Sequence, residues 1–240
     1  MANYIVLDTE TAPTVKRDYV SPTDSAVYDL GFIVCNGKGE TLEEHSYVIA
    51  ETFNDSSLMN SAYYAIKLPQ YRAGIGFDSR CEWQMVNCLT AYREFRNVCK
   101  KYDIKTVWAY NVNFDIQALN ATVSRLSNGF VNFFLPYGVR VRDIWDYATC
   151  ITTSKGFLKF CDKNEYISPK GNPKTSAEIV YRYLKSDPKF AERHTALSDC
   201  KIENAILSKC KKMHKKTRHT RGQGWVEAAK AYREYRALNE

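Results

Sequence analysis

Two acidic residues, Asp8 and Glu10, directly follow the apolar run Tyr4–Leu7 in the stretch NYIVLDTETAPT. The apolar run predicts a buried strand, and alternate side chains of a strand share one face, so both carboxylates should lie on the same side of a sheet. Like charges at the end of a buried strand cost several kcal/mol unless a cation or a proton offsets them. The pair therefore predicts a compensating cation or proton.

Two further acids lie on the apolar faces of predicted helices. Asp115 shares a face with Val112 and Leu119 in VNFDIQALNATVSRL, and Asp199 lies in line with Ile206 in ALSDCKIENAILSKC. A lone aspartate more often caps a helix than it catalyses. Four inward acids whose elements meet would instead form an oxygen-rich pocket suited to Mg²⁺ or Mn²⁺.

The elements that must position these acids alternate in type along the chain. Three strands come first, with a hairpin turn at 36–39, and a helix, a strand, a helix, a strand and several helices follow, which predicts an α/β domain with a mixed sheet. We expect a helix over 82–101 and another from about Asp143, which should cap it. Residues 51–81 look like an insertion, with a helical piece near 58–66 and a loop.

Composition is that of an ordinary globular protein. The chain has 240 residues, of which 45% are apolar and 13% aromatic, enough for one substantial core with appendages. No apolar stretch is long enough to span a bilayer and the N-terminus lacks a secretion pattern, so we expect a cytoplasmic protein. None of the eight cysteines has zinc-ligand spacing, so we expect reduced, mostly buried thiols.

The net charge of +7 is concentrated in KCKKMHKKTRHTR, residues 209–221, which contain seven basic residues and no acid. Such a run is typical of phosphate-backbone binding, and a solvated helix end is the alternative. We expect substrate contacts from its lysines, namely Lys211, Lys212, Lys215 and Lys216.

The stretch GWVEAAKAYREYRAL after the basic run predicts an amphipathic helix. Its apolar face should include Trp225, Ala229, Tyr232, Tyr235 and Leu238. Either the rest of the chain or a second copy must cover that face, and the second case would give a homodimer. The predicted organisation is a main domain over 1–211, a basic linker over 212–222 and a C-terminal helix over 223–240.

Three motifs carry a resemblance to a known family. LDTET, AYNVNFDIQAL and HTALSDC are similar to the motifs of the DEDDh exonuclease superfamily, which includes the proofreading subunit of bacterial DNA polymerase III and ribonuclease T. His194 stands five residues before Asp199, which is the mark of the histidine subclass. The resemblance covers about residues 3–211. YDLGFIV, SAYYAIKLPQY, FFLPYG and KTSAEIVYRYL further resemble small nucleases of tailed bacteriophages.

The resemblance implies a ribonuclease H-like fold with a mixed five-stranded sheet and a 3′-5′ exonuclease that uses two divalent ions, Mg²⁺ or Mn²⁺. By this resemblance, Asp8 bridges both ions. Glu10 and Asp199 complete the site of the ion that binds the nucleophilic water, and Asp115 serves the second site. His194 would be the general base, since an imidazole titrates near neutral pH.

Four further residues match family positions near the substrate. Thr9 and Thr11 flank Glu10, and threonine is also simply a good strand residue. Asn111 and Phe114 occupy the NxxFD positions and could equally cap and pack the helix. Tyr110 departs from the histidine that is common there.

The expected partner is the 3′ end of a single-stranded nucleic acid, and we expect DNA rather than RNA. No motif specifies contacts to a 2′-hydroxyl group, so an exoribonuclease is an open alternative. The other alternative is a scaffold that binds nucleic acid and has no catalytic activity. The complete set of acids is evidence against this alternative, because an inactive site would be free to lose some of them. No segment of the sequence indicates a polymerase partner.

Overall fold

The structure is a computed structural model that describes residues 2–15, 20–62, 65–76, 81–213 and 224–238. The strands are β1 Tyr4–Pro13, β2 Ser25–Cys35, β3 Thr41–Ile49, β4 Ile75–Gly76, β5 Trp83–Val86, β6 Thr106–Ala109 and β7 Arg140–Asp143. The helices are α1 Ala50–Phe53, α2 Ser56–Met59, α3 Leu68–Gly74, α4 Cys88–Lys101, α5 Val112–Leu126, α6 Ile144–Tyr147, α7 Thr149–Thr152, α8 Lys155–Lys163, α9 Ala177–Lys185, α10 Ala196–Lys212 and α11 Gly224–Ala237. Short 3-10 turns cover Pro22–Asp24 and Ala65–Lys67.

The strands form one mixed sheet in the order β4-β5-β3-β2-β1-β6-β7. Strand β1 pairs antiparallel with β2 and parallel with β6, so it is central. Its residues Tyr4–Leu7 are buried, and every residue of β2 is buried. A strand covered on both faces has no solvent side, which explains its continuous apolar sequence. The predicted mixed α/β architecture is confirmed, with seven strands rather than five.

The chain divides into two compact units, Met1–Arg142 with Arg193–Cys200, and Asp143–Glu192 with Lys201–Glu240. In the first unit, helices α4 and α5 pack on β1, β2 and β6 over a core that includes Leu7, Phe32, Phe95 and Leu119. The predicted boundary at residue 211 stays a prediction.

The insertion-like stretch 51–81 was predicted only in part. It contributes short helices, as expected, but β4 and β5 add two strands to the sheet edge, and the helix expected from residue 82 begins only at Cys88. Asn87 starts α4 because its side chain accepts a hydrogen bond from the Thr90 amide at 2.8 Å. Trp83 is buried with Tyr71 in a separate apolar cluster, so it belongs to the sheet edge and not to α4.

The second unit contains the C-terminal helix. The face of α11 that is buried includes Gly224, Ala228, Ala229 and Tyr232, whereas Trp225 is half exposed and Leu238 mostly exposed. The predicted helix is present, and the prediction of its apolar face is correct at Ala229 and Tyr232 and wrong at Trp225 and Leu238. Small residues allow α11 to lie close to its neighbours α6, α7 and α8, so this packing covers the face within the chain.

Three sequence expectations concern local features. Asp143 caps α6, accepting from the Trp145 amide at 2.7 Å, as predicted. All eight cysteines are free thiols, and six of them are buried. Within the described residues, no helix is long and apolar enough to cross a bilayer.

Gly31 on β2 fixes how closely the start of α10 approaches the sheet. A Cβ atom at this position would lie 2.2 Å from the Leu197 backbone nitrogen and 2.3 Å from the Ala196 carbonyl carbon. The Cys200 thiol donates to the Gly31 carbonyl at 3.3 Å. Only glycine permits this contact, which places the first turns of α10 directly on the central strands.

We expect Gly31→Ala to lower the free energy of unfolding by about 3 kcal/mol or more, because backbone must move to admit a methyl group. Chemical denaturation measures the change. Gly138→Ala is the control, since its Cβ would meet no atom within 4 Å and only its φ of 84° opposes the substitution. Equal destabilisation of the two variants would contradict a close approach at Gly31.

Candidate active site

Asp8 and Glu10 project from β1 toward the start of α10. Oxygen atoms of Asp8, Glu10 and Asp199 all lie within 4.8 Å of one another. Glu10 is buried, and Asp8 and Asp199 are half buried. The strand and the helix bring together three acids that lie up to 191 positions apart in the sequence, as expected from their spacing and apolar contexts.

Asp115 reaches the same region from α5. It is buried, and its Oδ1 accepts a hydrogen bond from the Thr9 hydroxyl at 2.8 Å. Thr9 stands between Asp8 and Glu10 on β1, so this bond ties the helix that carries the second motif to the strand that carries the first. Thr9 is itself buried, and its hydroxyl is used to hold Asp115.

His194 lies just before α10. One of its ring nitrogens lies within 4.8 Å of a carboxylate oxygen of Asp199. Its φ of 49° is in the left-handed region, which residues other than glycine rarely adopt. The side chain is half buried, which leaves it access to solvent. The geometry places the predicted base beside Asp199, one of the predicted metal ligands.

Burial and the neighbouring acids raise the pKa of Glu10. Burial first, and then the charges of Asp29, Asp199 and Asp115, raise the pKa of Glu10 from 4.5 to about 9. Without a cation, the cluster therefore favours a protonated Glu10 at neutral pH. An all-oxygen donor set with this excess of negative charge fits a hard divalent ion such as Mg²⁺ or Mn²⁺.

Asp29 is a residue that the sequence reasoning missed. It lies opposite Glu10 on β2 and is fully buried. Its Oδ2 accepts from the Tyr71 hydroxyl at 2.6 Å and from the Ala196 amide at 3.0 Å. Burial raises its pKa to about 6, although both hydrogen bonds oppose the rise. Asp29 thus links the start of α10 to β2, and the signal for it was a single acid in an otherwise apolar strand.

Lys67 was also missed, because it lies in the insertion-like stretch. Its ammonium group donates to the backbone carbonyls of Arg193 and His194. Its positive charge also opposes the rise in the pKa of Glu10. The insertion therefore contributes a cation that holds the segment with His194, a role that no local motif in residues 51–81 indicates.

The remaining residues that were predicted to contact the substrate are Thr11, Asn111 and Phe114. Thr11 is half buried on β1, after a bulge that follows Glu10. Asn111 is the exposed residue that precedes α5, and its backbone is left-handed rather than extended as in a typical capping residue. Phe114 is half buried on the first turn of α5. Their role in binding substrate stays a prediction.

The basic segment is described only at its beginning. Lys211 and Lys212 are the last two residues of α10, and Lys212 is exposed. Lys215 and Lys216 lie outside the described residues.

No family model matches the chain, and a search of curated proteins finds no match. Solved structures do match. Escherichia coli exonuclease I in complex with a dA16 oligonucleotide aligns over 88% of this chain with a TM-score of 0.56 and 14% identity. A zinc-bound complex of the same enzyme with single-stranded DNA aligns over 89% with a TM-score of 0.57 and 14% identity. A product-bound exonuclease I aligns over 88%, with a TM-score of 0.55 and 15% identity.

This chain shares the fold of the part of exonuclease I with which it aligns. It spans about two fifths of the length of these proteins, since the alignments cover 41–43% of their chains. The ribonuclease H-like architecture implied by the sequence motifs is therefore confirmed at the level of fold.

The charge cluster predicts how stability depends on pH in the absence of metal. Folded Glu10 holds a proton up to about pH 9, whereas the unfolded chain loses it near 4.5. The unfolded state then binds fewer protons, so the free energy of unfolding falls as pH rises through this window. We expect Glu10→Gln to flatten this fall and to raise the melting temperature by several degrees in EDTA at pH 8.

Thermal melts between pH 5 and 9, with EDTA and with Mg²⁺, measure the effect. Mg²⁺ should stabilise the wild type more than Glu10→Gln, since the variant lacks one carboxylate of the site. Glu94→Gln, at an exposed position of α4, is the control and should follow the wild type. Parallel pH curves for Glu10→Gln and the wild type would contradict the buried charge cluster.

Proposed function

We propose that this protein is a metal-dependent 3′-5′ exonuclease that releases 5′-mononucleotides from single-stranded DNA. The observation that carries the proposal is the convergence of Asp8, Glu10 and Asp199 within 4.8 Å. Asp115 is held against the same strand by Thr9. The fold shared with exonuclease I supports the same reaction class.

In this proposal, different residues of the site have different roles in hydrolysis. Asp8, Glu10 and Asp199 would hold one divalent ion, and Asp8 and Asp115 a second. When bound, such ions stabilise the charge that develops on the phosphate and on the departing 3′ oxygen. His194 would take the proton from the attacking water, since its ring is near Asp199 and its side chain is open to solvent.

Two residues would keep this geometry without touching the substrate. Asp29 accepts a hydrogen bond from the Ala196 amide, and Lys67 donates to the backbone carbonyls of Arg193 and His194. Together they fix the turn at which His194 adopts its left-handed conformation. A base must lie within hydrogen-bond reach of the proton that it removes, so its backbone support is part of the site.

Single-stranded DNA is the preferred substrate in this proposal because the solved structures with this fold include complexes of exonuclease I with single-stranded DNA. An exoribonuclease with the same site is the alternative. A digestion panel of labelled single-stranded and duplex DNA and RNA, with Mg²⁺ or Mn²⁺, decides between them. Products shortened stepwise from the 3′ end are expected.

We expect Asp8→Ala, Asp115→Asn and Asp199→Ala each to abolish hydrolysis and to leave the fold intact, because an inward acid without metal is an electrostatic cost. His194→Ala should lower kcat by roughly 100-fold, as removal of a general base does. EDTA should stop the wild type. Glu94→Gln is again the matched control. Activity that persists in EDTA would show that the site does not use metal. A nucleic-acid-binding scaffold would show no hydrolysis with any substrate or metal.

The basic segment should gather substrate, since the acidic site repels a polyanion before metal binds. Replacing Lys211, Lys212, Lys215 and Lys216 together by glutamine should weaken binding of long single strands. The slope of log affinity against log salt should flatten by up to about three units, at ~0.7 for each phosphate that the variant no longer neutralises. Fluorescence anisotropy at several salt concentrations measures the slope.

A matched control removes the same charge elsewhere. It replaces four lysines that are exposed in the structure, namely Lys38, Lys100, Lys105 and Lys159. This variant should keep a steeper slope than the first one. Equal slopes for the two variants would mean that the basic segment is a solvated linker.

A further inference from the structure

Three aromatic side chains are exposed in one loop between α5 and β7. Phe130 is 91% exposed, Phe133 is 74% exposed and Tyr137 is fully exposed. We call residues 127–139 the aromatic loop. Large apolar side chains exposed together contribute nothing to the core, and such patches mark binding surfaces.

The aromatic loop is firmly attached to the fold. Phe134 is buried, and its ring centroid lies 5.2 Å from that of Phe95 and 5.8 Å from that of Tyr92. Its amide donates to Asn120 Oδ1 at 2.8 Å, and the Val131 amide donates to the Ser127 hydroxyl at 2.9 Å. Because these anchors fix the backbone, the exposure of the neighbouring Phe133 is built into the structure.

The exposed rings border a groove of about 580 Å³ between the loop, α4 and α5. Among the described residues that line it, none carries a carboxylate, and Arg96 is the one with a charge. The Arg96 guanidinium lies 5.2 Å from the centroid of the Tyr92 ring. Such a groove, with aromatic faces and one cation, fits an occupant that is planar, apolar and negatively charged at its edge.

Part of the groove is formed by α5, the helix that carries Asp115 in its first turn. The lining of the groove includes Ile116, the residue that directly follows Asp115 on α5, and Asn120 one turn further along. A helix rises about 1.5 Å per residue, so these positions lie within about 8 Å of Asp115 along the helix axis. A strand whose 3′ end reaches Asp115 therefore has the groove within the reach of a few nucleotides.

We propose that the groove binds unpaired bases of the substrate strand, by stacking on Phe130, Phe133 and Tyr137 while Arg96 attracts the backbone phosphates. The proposal rests on the proposed nuclease function and names a substrate-binding surface for it. Stacking on aromatic side chains is tolerant of sequence, because every base has a flat face, and requires that the bases be unpaired. The groove thus selects single strands over duplexes.

Binding without turnover tests the proposal. The probe is a 5′-labelled DNA single strand whose 3′-terminal linkages are phosphorothioates, in the presence of Mg²⁺. Phe130→Ala and Phe133→Ala should each raise the Kd by about 5- to 150-fold, since stacking is worth ~1–3 kcal/mol per base. Phe133→Tyr should keep wild-type affinity. Leu42→Ala, at an exposed apolar position on β3, is the control and should not change it.

Phe133→Leu separates stacking from simple apolar contact. Leucine keeps an apolar side chain but has no flat face, so affinity should fall as it does for alanine. A probe with 2-aminopurine a few nucleotides from the 3′ end should change fluorescence on binding to the wild type and not to Phe133→Ala. Wild-type affinity in Phe133→Leu would overturn base stacking on this side chain.

Two further results would distinguish the possible failures. A wild type that degrades single strands while Phe130→Ala and Phe133→Ala bind them normally would overturn the groove proposal and leave the nuclease function standing. A wild type that neither binds nor degrades any nucleic acid would overturn the function itself. A wild-type dimer in light scattering that Phe133→Ala converts to monomer would overturn the groove proposal by showing that a second copy covers this surface.

Discussion

The structure depends on holding several carboxylates together where water cannot fully screen them. Asp8, Glu10 and Asp199 lie within 4.8 Å, and buried Asp29 and Asp115 add to the same field. Without metal, the cost appears as a protonated Glu10. A fold that tolerates this cost must draw its stability elsewhere, and the fully buried central strands provide it.

A few specific contacts hold the start of α10, and with it His194, in position. Gly31 allows α10 to lie on the sheet, and Asp29 accepts from the amide at the start of that helix. Lys67 donates to the backbone carbonyls of Arg193 and His194, which precede that helix. These contacts come from β2 and from the insertion-like stretch, so the position of His194 depends on segments that carry no catalytic motif.

Substrate recognition has to work against the same charges. A cluster of acids repels phosphates, so attraction must come from bound cations, from the lysines that follow α10, or from contacts that are not electrostatic. In the proposed function, the aromatic loop would supply the last kind, since stacking does not depend on the sign of charge. Phe133 and Arg96 would combine both modes in one groove, whose lining includes Ile116, the residue after Asp115 on α5.

The sequence by itself determined the α/β class, the order of the main elements and the acids that face inward, because periodicity and apolar context are local properties. It also indicated the caps, as at Asp143. It did not determine β4 and β5, the buried face of α11 or the roles of Asp29 and Lys67. Those depend on which distant segments meet: Trp83 joins the sheet edge because Tyr71 packs against it, and Lys67 matters only where it reaches the carbonyl of His194. Local pattern places a side chain on a face, and only tertiary contact decides what that face touches.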